Sequence, residues 1–109
     1  MSTTWVYTGS VIQKGPQESE VYVMDWGSEH LRAGVTIANS VWTITRLTGA
    51  TSPLMTQDSA SIPSGARTTQ VRLIGGVIGQ QYDVSNTITT TETPPRIKDR
   101  SFTVSIEDL

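Results

Sequence analysis

Cysteine is absent from the 109 residues, which removes thiol catalysis, iron–sulfur clusters, cysteine-ligated zinc and disulfides from consideration. Histidine occurs once, as His30, so neither a histidine metal cluster nor a relay can be assembled. Apolar runs are only a few residues long, far short of a membrane-spanning helix, and the opening Met1-Ser2-Thr3-Thr4-Trp5 lacks the basic segment and apolar stretch of a secretion signal. Lys and Arg total 8 against 10 Asp and Glu, a formal net charge of −2, and no basic stretch is interleaved with aromatics, so nucleic acid is not an expected partner and neither is a membrane. Lys, Glu and Ala, the residues that write helix surfaces, are sparse.

What the chain has instead is Ser and Thr beside Val and Ile. Such β-branched and hydroxyl residues suit half-buried pleated strands, because their stiff first torsion packs well there. Val21-Tyr22-Val23-Met24-Asp25-Trp26 alternates, with Tyr22, Met24 and Trp26 on one face. After a loop from Gly27 to Gly34, with room for one helical turn around Glu29 to Arg32, a short strand is expected at Thr36 to Asn39. In Val41-Trp42-Thr43-Ile44-Thr45, Trp42 and Ile44 face one way. Residues 48–67 read as loop with at most a short edge strand near Leu54 to Gln57. Strand pattern returns at Gln70 to Ile74 with Leu73, is broken by Gly75-Gly76 and Gly79, and resumes from Tyr82 through Val84 to Ile88. After a turn expected at Glu92 to Asp99, Ser101 to Glu107 alternates with Phe102, Val104 and Ile106 inward.

Short strands at roughly ten-residue spacing with turn signals between them give an all-β domain, a sandwich or a small barrel. Two details favour an immunoglobulin-like β-sandwich of about seven antiparallel strands. Tyr82 opens a strand just after a Gly-containing turn, with Val84 two positions on, the spacing of a tyrosine corner. Trp42 stands on an earlier strand, where such a core keeps its buried tryptophan. The expected core is Tyr22, Met24, Trp26, Trp42, Ile44, Leu73, Tyr82, Val84, Ile88, Phe102, Val104 and Ile106, in a domain covering residues 14–109. Residues 1–13 leave two readings open, a further strand or an arm that orders on a partner.

Catalytic groups do not assemble. His30 reads as a solvent-facing loop residue. Asp25 and Asp83 fall on outward strand faces and the other carboxylates in loops or at the terminus, so no pair is expected to converge as a glycosidase needs. Gly75-Gly76-Val77-Ile78-Gly79 is followed by a strand rather than the helix a phosphate cradle requires, which makes it a turn. No catalytic residue, metal ligand or cofactor site is expected. Trp5 and Tyr7 have no evident place in the core and are the candidate partner-binding residues.

Tyr22-Val23-Met24-Asp25-Trp26, Ser40-Val41-Trp42-Thr43, the long element from Leu73-Ile74-Gly75-Gly76 through Tyr82-Asp83-Val84-Ser85-Asn86-Thr87-Ile88-Thr89-Thr90, and Arg100-Ser101-Phe102 together resemble small tailed-phage and prophage virion proteins of the fibre–tail adaptor type. The resemblance covers roughly residues 14–109. It implies an immunoglobulin-like, non-catalytic virion protein, assembled in the cytoplasm of the bacterial host. It further implies several copies per particle, bridging tail or neck to fibres or another virion protein. The alternatives are a capsid decoration protein and a carbohydrate-binding module that uses Trp5 or Tyr7.

Overall fold

Alternation decides which faces of the chain meet. From Gln81 to Thr90 every second side chain is buried, as a strand with one face on a core requires. The computed structural model describes residues 3–27, 31–46 and 55–108, and their regular structure is all β. The strands are β1 (Thr3–Val6), β2 (Val11–Lys14), β3 (Glu20–Asp25), β4 (Ile37–Arg46), β5 (Thr56–Ser61), β6 (Thr68–Ile74), β7 (Gln81–Thr90) and β8 (Ile97–Ile106). They form two four-stranded sheets, ordered β1-β3-β6-β5 and β2-β8-β7-β4.

The inner faces of both sheets supply one core, in which Val6, Tyr22, Trp26, Leu73, Val84, Phe102 and Val104 are at most 1 % exposed. Tyr22 of one sheet lies across from Phe102 of the other with ring centroids 5.6 Å apart, and Trp42 meets the same Phe102 edge-on at 6.4 Å. Met24, Trp42, Tyr82, Ile88 and Ile106 are also buried there, and Ile44 packs against the cluster partly exposed.

The expectation of about seven antiparallel strands is corrected on two counts. Eight strands are described, and two pairings are parallel: β1 with β3, from Thr3↔Val21 to Val6↔Met24, and β2 with β8, from Val11↔Thr103 to Lys14↔Ile106. The cause is the N-terminal segment. It follows the edge of one sheet, turns at residues 7–10 and follows the edge of the other, so each half runs beside a strand of its own direction. Gly9 makes the turn, with φ of 83°, a left-handed conformation that costs a β-carbon-bearing residue energy.

Boundaries moved where pairing outweighed local turn signals. One ten-residue strand, β4, absorbs both segments expected between Thr36 and Thr45, with a register shift between Ile37 and Asn39. The last strand begins at Ile97 rather than Ser101, because β7 offers partners as far as Thr89↔Ile97. The edge strand expected near Leu54 to Gln57 is β5, set further along the chain, and Leu54 itself is outside the described residues.

Candidate functional site

Beside Val6 of β1, which is completely buried, Trp5 before it and Tyr7 just after the strand stand outward, 52 % and 50 % exposed. Their backbone is fixed. The Tyr7 amide donates to Ser10 Oγ and Ser10 N–H returns a bond to the Tyr7 carbonyl, each at 3.0 Å, while Gly9 N–H donates to Ser101 O at 2.9 Å and Thr103 N–H to Ser10 O at 2.8 Å. Trp5 sits in register with Val23, and Val23 with Gln70. Val23 is only 5 % exposed although its neighbours Tyr22 and Met24 take the inward positions, and its register partner Trp5 stands half-exposed beside it. Two aromatics held on a pinned turn can anchor another protein without first losing backbone entropy.

On the other side of the sandwich every residue of β5 is exposed, and among the described residues β5 pairs only with β6. Asn39 and Ser40 of β4, with Ala60, Ser61 and Ile62, line a shallow groove between the two sheet edges. Its polar rim and the Asp58–Arg72 ion pair beside β5 protect an edge that would otherwise invite pairing.

The core contains a polar network that the sequence reading missed. The Trp26 indole N–H donates to Thr69 Oγ1 and Asn86 Oδ1, both at 3.0 Å, and Thr69 Oγ1 donates to Asn86 Oδ1 at 2.6 Å. Asn86 Nδ2 then donates to Ser40 Oγ at 2.8 Å and to the Val41 carbonyl at 3.1 Å. Asn86 thus ties the two sheets together. The signal was present: period two from Tyr82 and Val84 places Asn86 inward, and a buried amide needs partners.

The tyrosine corner is corrected. The Tyr82 hydroxyl is buried without a hydrogen-bond partner among the described residues, and so are the Tyr22 hydroxyl and the Trp42 indole N–H. The ring of Tyr82 packs, while its oxygen reaches no upstream backbone. Trp26, rather than Trp42, is the tryptophan whose N–H is satisfied inside the core.

Lys14 faces inward at the end of β2 and is fully buried. Its Nζ donates to the carbonyls of Gly15 at 2.9 Å and Gly75 at 2.7 Å, pinning the β2–β3 and β6–β7 turns to each other. Burial pushes its ammonium below the ordinary lysine range, with Glu18 and Glu20 pulling the other way. Burial first, and then Glu20 and Glu18, push the Tyr22 hydroxyl above its ordinary range. Arg67 does similar work at the opposite end, donating to the Gly27 carbonyl at 2.9 Å, to Val35 O, and to Arg32 O at 3.2 Å. A four-residue strand gave no pattern from which to read Lys14 as inward, and nothing local marks Arg67.

Among the described residues no group of three or more His, Cys, Asp or Glu is placed to hold a metal ion. His30 is outside the described residues. Asp25 and Asp83 are half-buried on the outer faces of β3 and β7, and the Ser85 hydroxyl donates to Asp83 at 3.2 Å.

A family model described as podophage GP4 fiber-tail adaptor protein gp77 matches residues 14–105. No curated protein matches the chain. Among solved structures, the crystal structure of a cysteine protease inhibitor, EhICP2, from Entamoeba histolytica is similar, with a TM-score of 0.54 over 96 % of this chain and 95 % of that one. The two are 7 % identical, so the likeness concerns the fold alone.

Proposed function

The chain belongs to the podophage GP4 fiber-tail adaptor (gp77) family, and from that premise we propose that it is a non-catalytic virion protein, present in several copies, that links the tail or neck to fibres. The single observation that carries this reading is the family match across residues 14–105. The architecture suits such a role, since both N-terminal strands are paired into the sandwich and Trp5 and Tyr7 are held outward on fixed backbone. On this reading Trp5 and Tyr7 are one of its contact points. The finer description of the sandwich as immunoglobulin-like belongs to the same proposal. It is supported by two facing sheets with the first part of the chain shared between them.

Several copies in one particle let each contact be modest, because neighbouring attachments raise the effective concentration for the next. The test is removal of the gene from the phage, with particles then purified and imaged. Particles without this chain should lack fibres, and wild-type chain supplied in trans should restore them, whereas Trp5→Ala combined with Tyr7→Ala should restore few. Fully fibred, infective particles made in the absence of the chain would exclude the adaptor role.

A further inference from the structure

An adaptor needs two contact surfaces, and the end of the sandwich where β2, β6 and β8 terminate has the composition of a second one. The β6–β7 turn exposes two adjacent aliphatic side chains, Val77 at 44 % and Ile78 at 53 %. The turn is rigidly built. Gly79 N–H donates to the Ile106 carbonyl and Gln80 N–H to the Val77 carbonyl, both at 3.0 Å, and Lys14 Nζ holds Gly75 O. Gly76, with φ of 111°, lies so close to Ile106 that a β-carbon there would meet Ile106 Cδ1 at 2.6 Å. A tight apolar tip presented in this way is a poor feature for solubility alone.

The surroundings state the kind of partner. Glu107 N–H donates to the Lys14 carbonyl at 3.0 Å, and Asp108 lines a shallow pocket with Gly15, Pro16, Gln17 and Glu18. The two turns and the segment after β8, residues 15–19, 75–80 and 107–108, carry Glu18, Glu107 and Asp108 and no cationic residue, and Arg46, in register with Tyr82, closes β4 at the same end. The neighbouring Lys14 is buried with its ammonium on two carbonyls. At the opposite end the turn at residues 91–96 and the start of β8 hold Arg96, Lys98 and Arg100.

We propose that Val77 and Ile78 form the centre of a docking surface for a basic face of a neighbouring virion protein, with Glu18, Glu107 and Asp108 as its charged rim. An apolar centre inside a charged rim is how specific protein contacts divide the work: the centre supplies affinity and the rim supplies orientation and rate. The surface lies at the other end of β1 and β2 from the Tyr7 turn, which lets one copy touch two partners. The inference rests on the adaptor reading and deepens it.

The experiment uses phage lacking the gene, supplied in trans with the wild-type chain, with Val77→Ser combined with Ile78→Ser, or with Glu18→Gln combined with Asp108→Asn. In Glu18→Gln the new side chain keeps an oxygen for the Gly15 amide, which Glu18 Oε1 accepts at 2.6 Å, so the charge can be removed without opening the turn. If loss of the gene leaves fibres in place, the adaptor reading has failed, whatever the tip does. If fibres are lost and the wild-type chain restores them, the serine variant should melt like wild type and bind its particle or its fibre about tenfold more weakly, at one junction only. Wild-type binding at that junction should weaken between about 0.1 M and 1 M salt, where the screening length falls from about 10 Å to 3 Å, and the charge-neutralised variant should lose most of that dependence. A serine variant that binds as wild type at both junctions overturns the inference, as does wild-type binding that salt leaves unchanged or strengthens.

Discussion

Asn86 and Lys14 are the two residues whose environments say most about how this small core is held in register. Replacing Asn86 by Leu keeps the volume but deprives the Thr69 hydroxyl of its acceptor and Trp26 of one of its two. The expected loss is about 1–3 kcal/mol in urea titration, the penalty for leaving buried polar groups unpaired. A loss under about 0.5 kcal/mol, in the range of surface changes, would mean that the network contributes nothing. Tyr82→Phe is expected to do little, within about 0.5 kcal/mol, because its hydroxyl has no partner among the described residues. For Lys14 the sign follows from burial. Its folded-state pKa is lowered, so between that value and the ordinary lysine pKa the unfolded chain binds more protons, and stability rises with pH across that window. The raised Tyr22 works in the opposite sense, since the unfolded chain ionises first and stability falls as pH rises past the ordinary tyrosine value. The difference in melting temperature between wild type and Lys14→Met, followed as pH rises to the ordinary lysine pKa, should isolate the lysine and move in favour of wild type once its lowered folded-state pKa is passed. A flat difference would mean that Lys14 titrates as it does in the unfolded chain.

At the scale of elements, the strands written in Val, Ile, Thr and aromatics were legible because their period of two is sustained. In β3, β4 and β7 the inward residues Tyr22, Met24, Trp42, Val84 and Ile88 follow from the alternation alone. The last strand was legible in its second half, where Phe102, Val104 and Ile106 alternate. Its first half was hidden, since Ile97 to Arg100 carry charge and one apolar residue, and only pairing with β7 makes them a strand. β1 and β2 were the hardest to read. Four residues each, they have too few positions to show a period, and parallel pairing at two different sheet edges is set by partners distant in sequence. Their contribution is measurable. Val6 is fully buried against the core, and Val6→Ala should cost about 1–3 kcal/mol, whereas Trp5→Ala, at a half-exposed position, should cost much less. Equal losses at the two positions would mean that β1 does not dock as described. The proposed contact surfaces were legible only in part. Trp5 and Tyr7 stood out as aromatics without a core position, while Val77 and Ile78 looked like turn filler because what surrounds them comes from the ends of β2 and β8.

As a whole the molecule is elongated, 44 × 27 × 21 Å, with strands running from one end to the other and turns collected at both. The pairing of β1 has a mechanical consequence. A fibre pulls on whatever holds it, and a load along the strands at Thr3, opposed at the turn near Thr91, would draw β1 lengthwise past β3. The rungs from Thr3↔Val21 to Val6↔Met24 would then have to give way together. A load that separates Thr56 from Ile74, which face each other across β5 and β6, would instead open that hairpin one rung at a time. Single-molecule tethers at residues 3 and 91 should therefore rupture at a higher force than tethers at residues 56 and 74, and the reverse order would remove the rationale. A chain whose first strand is loaded in shear stays folded under tension while its edge hairpin yields, a division of strength that suits a joint under drag.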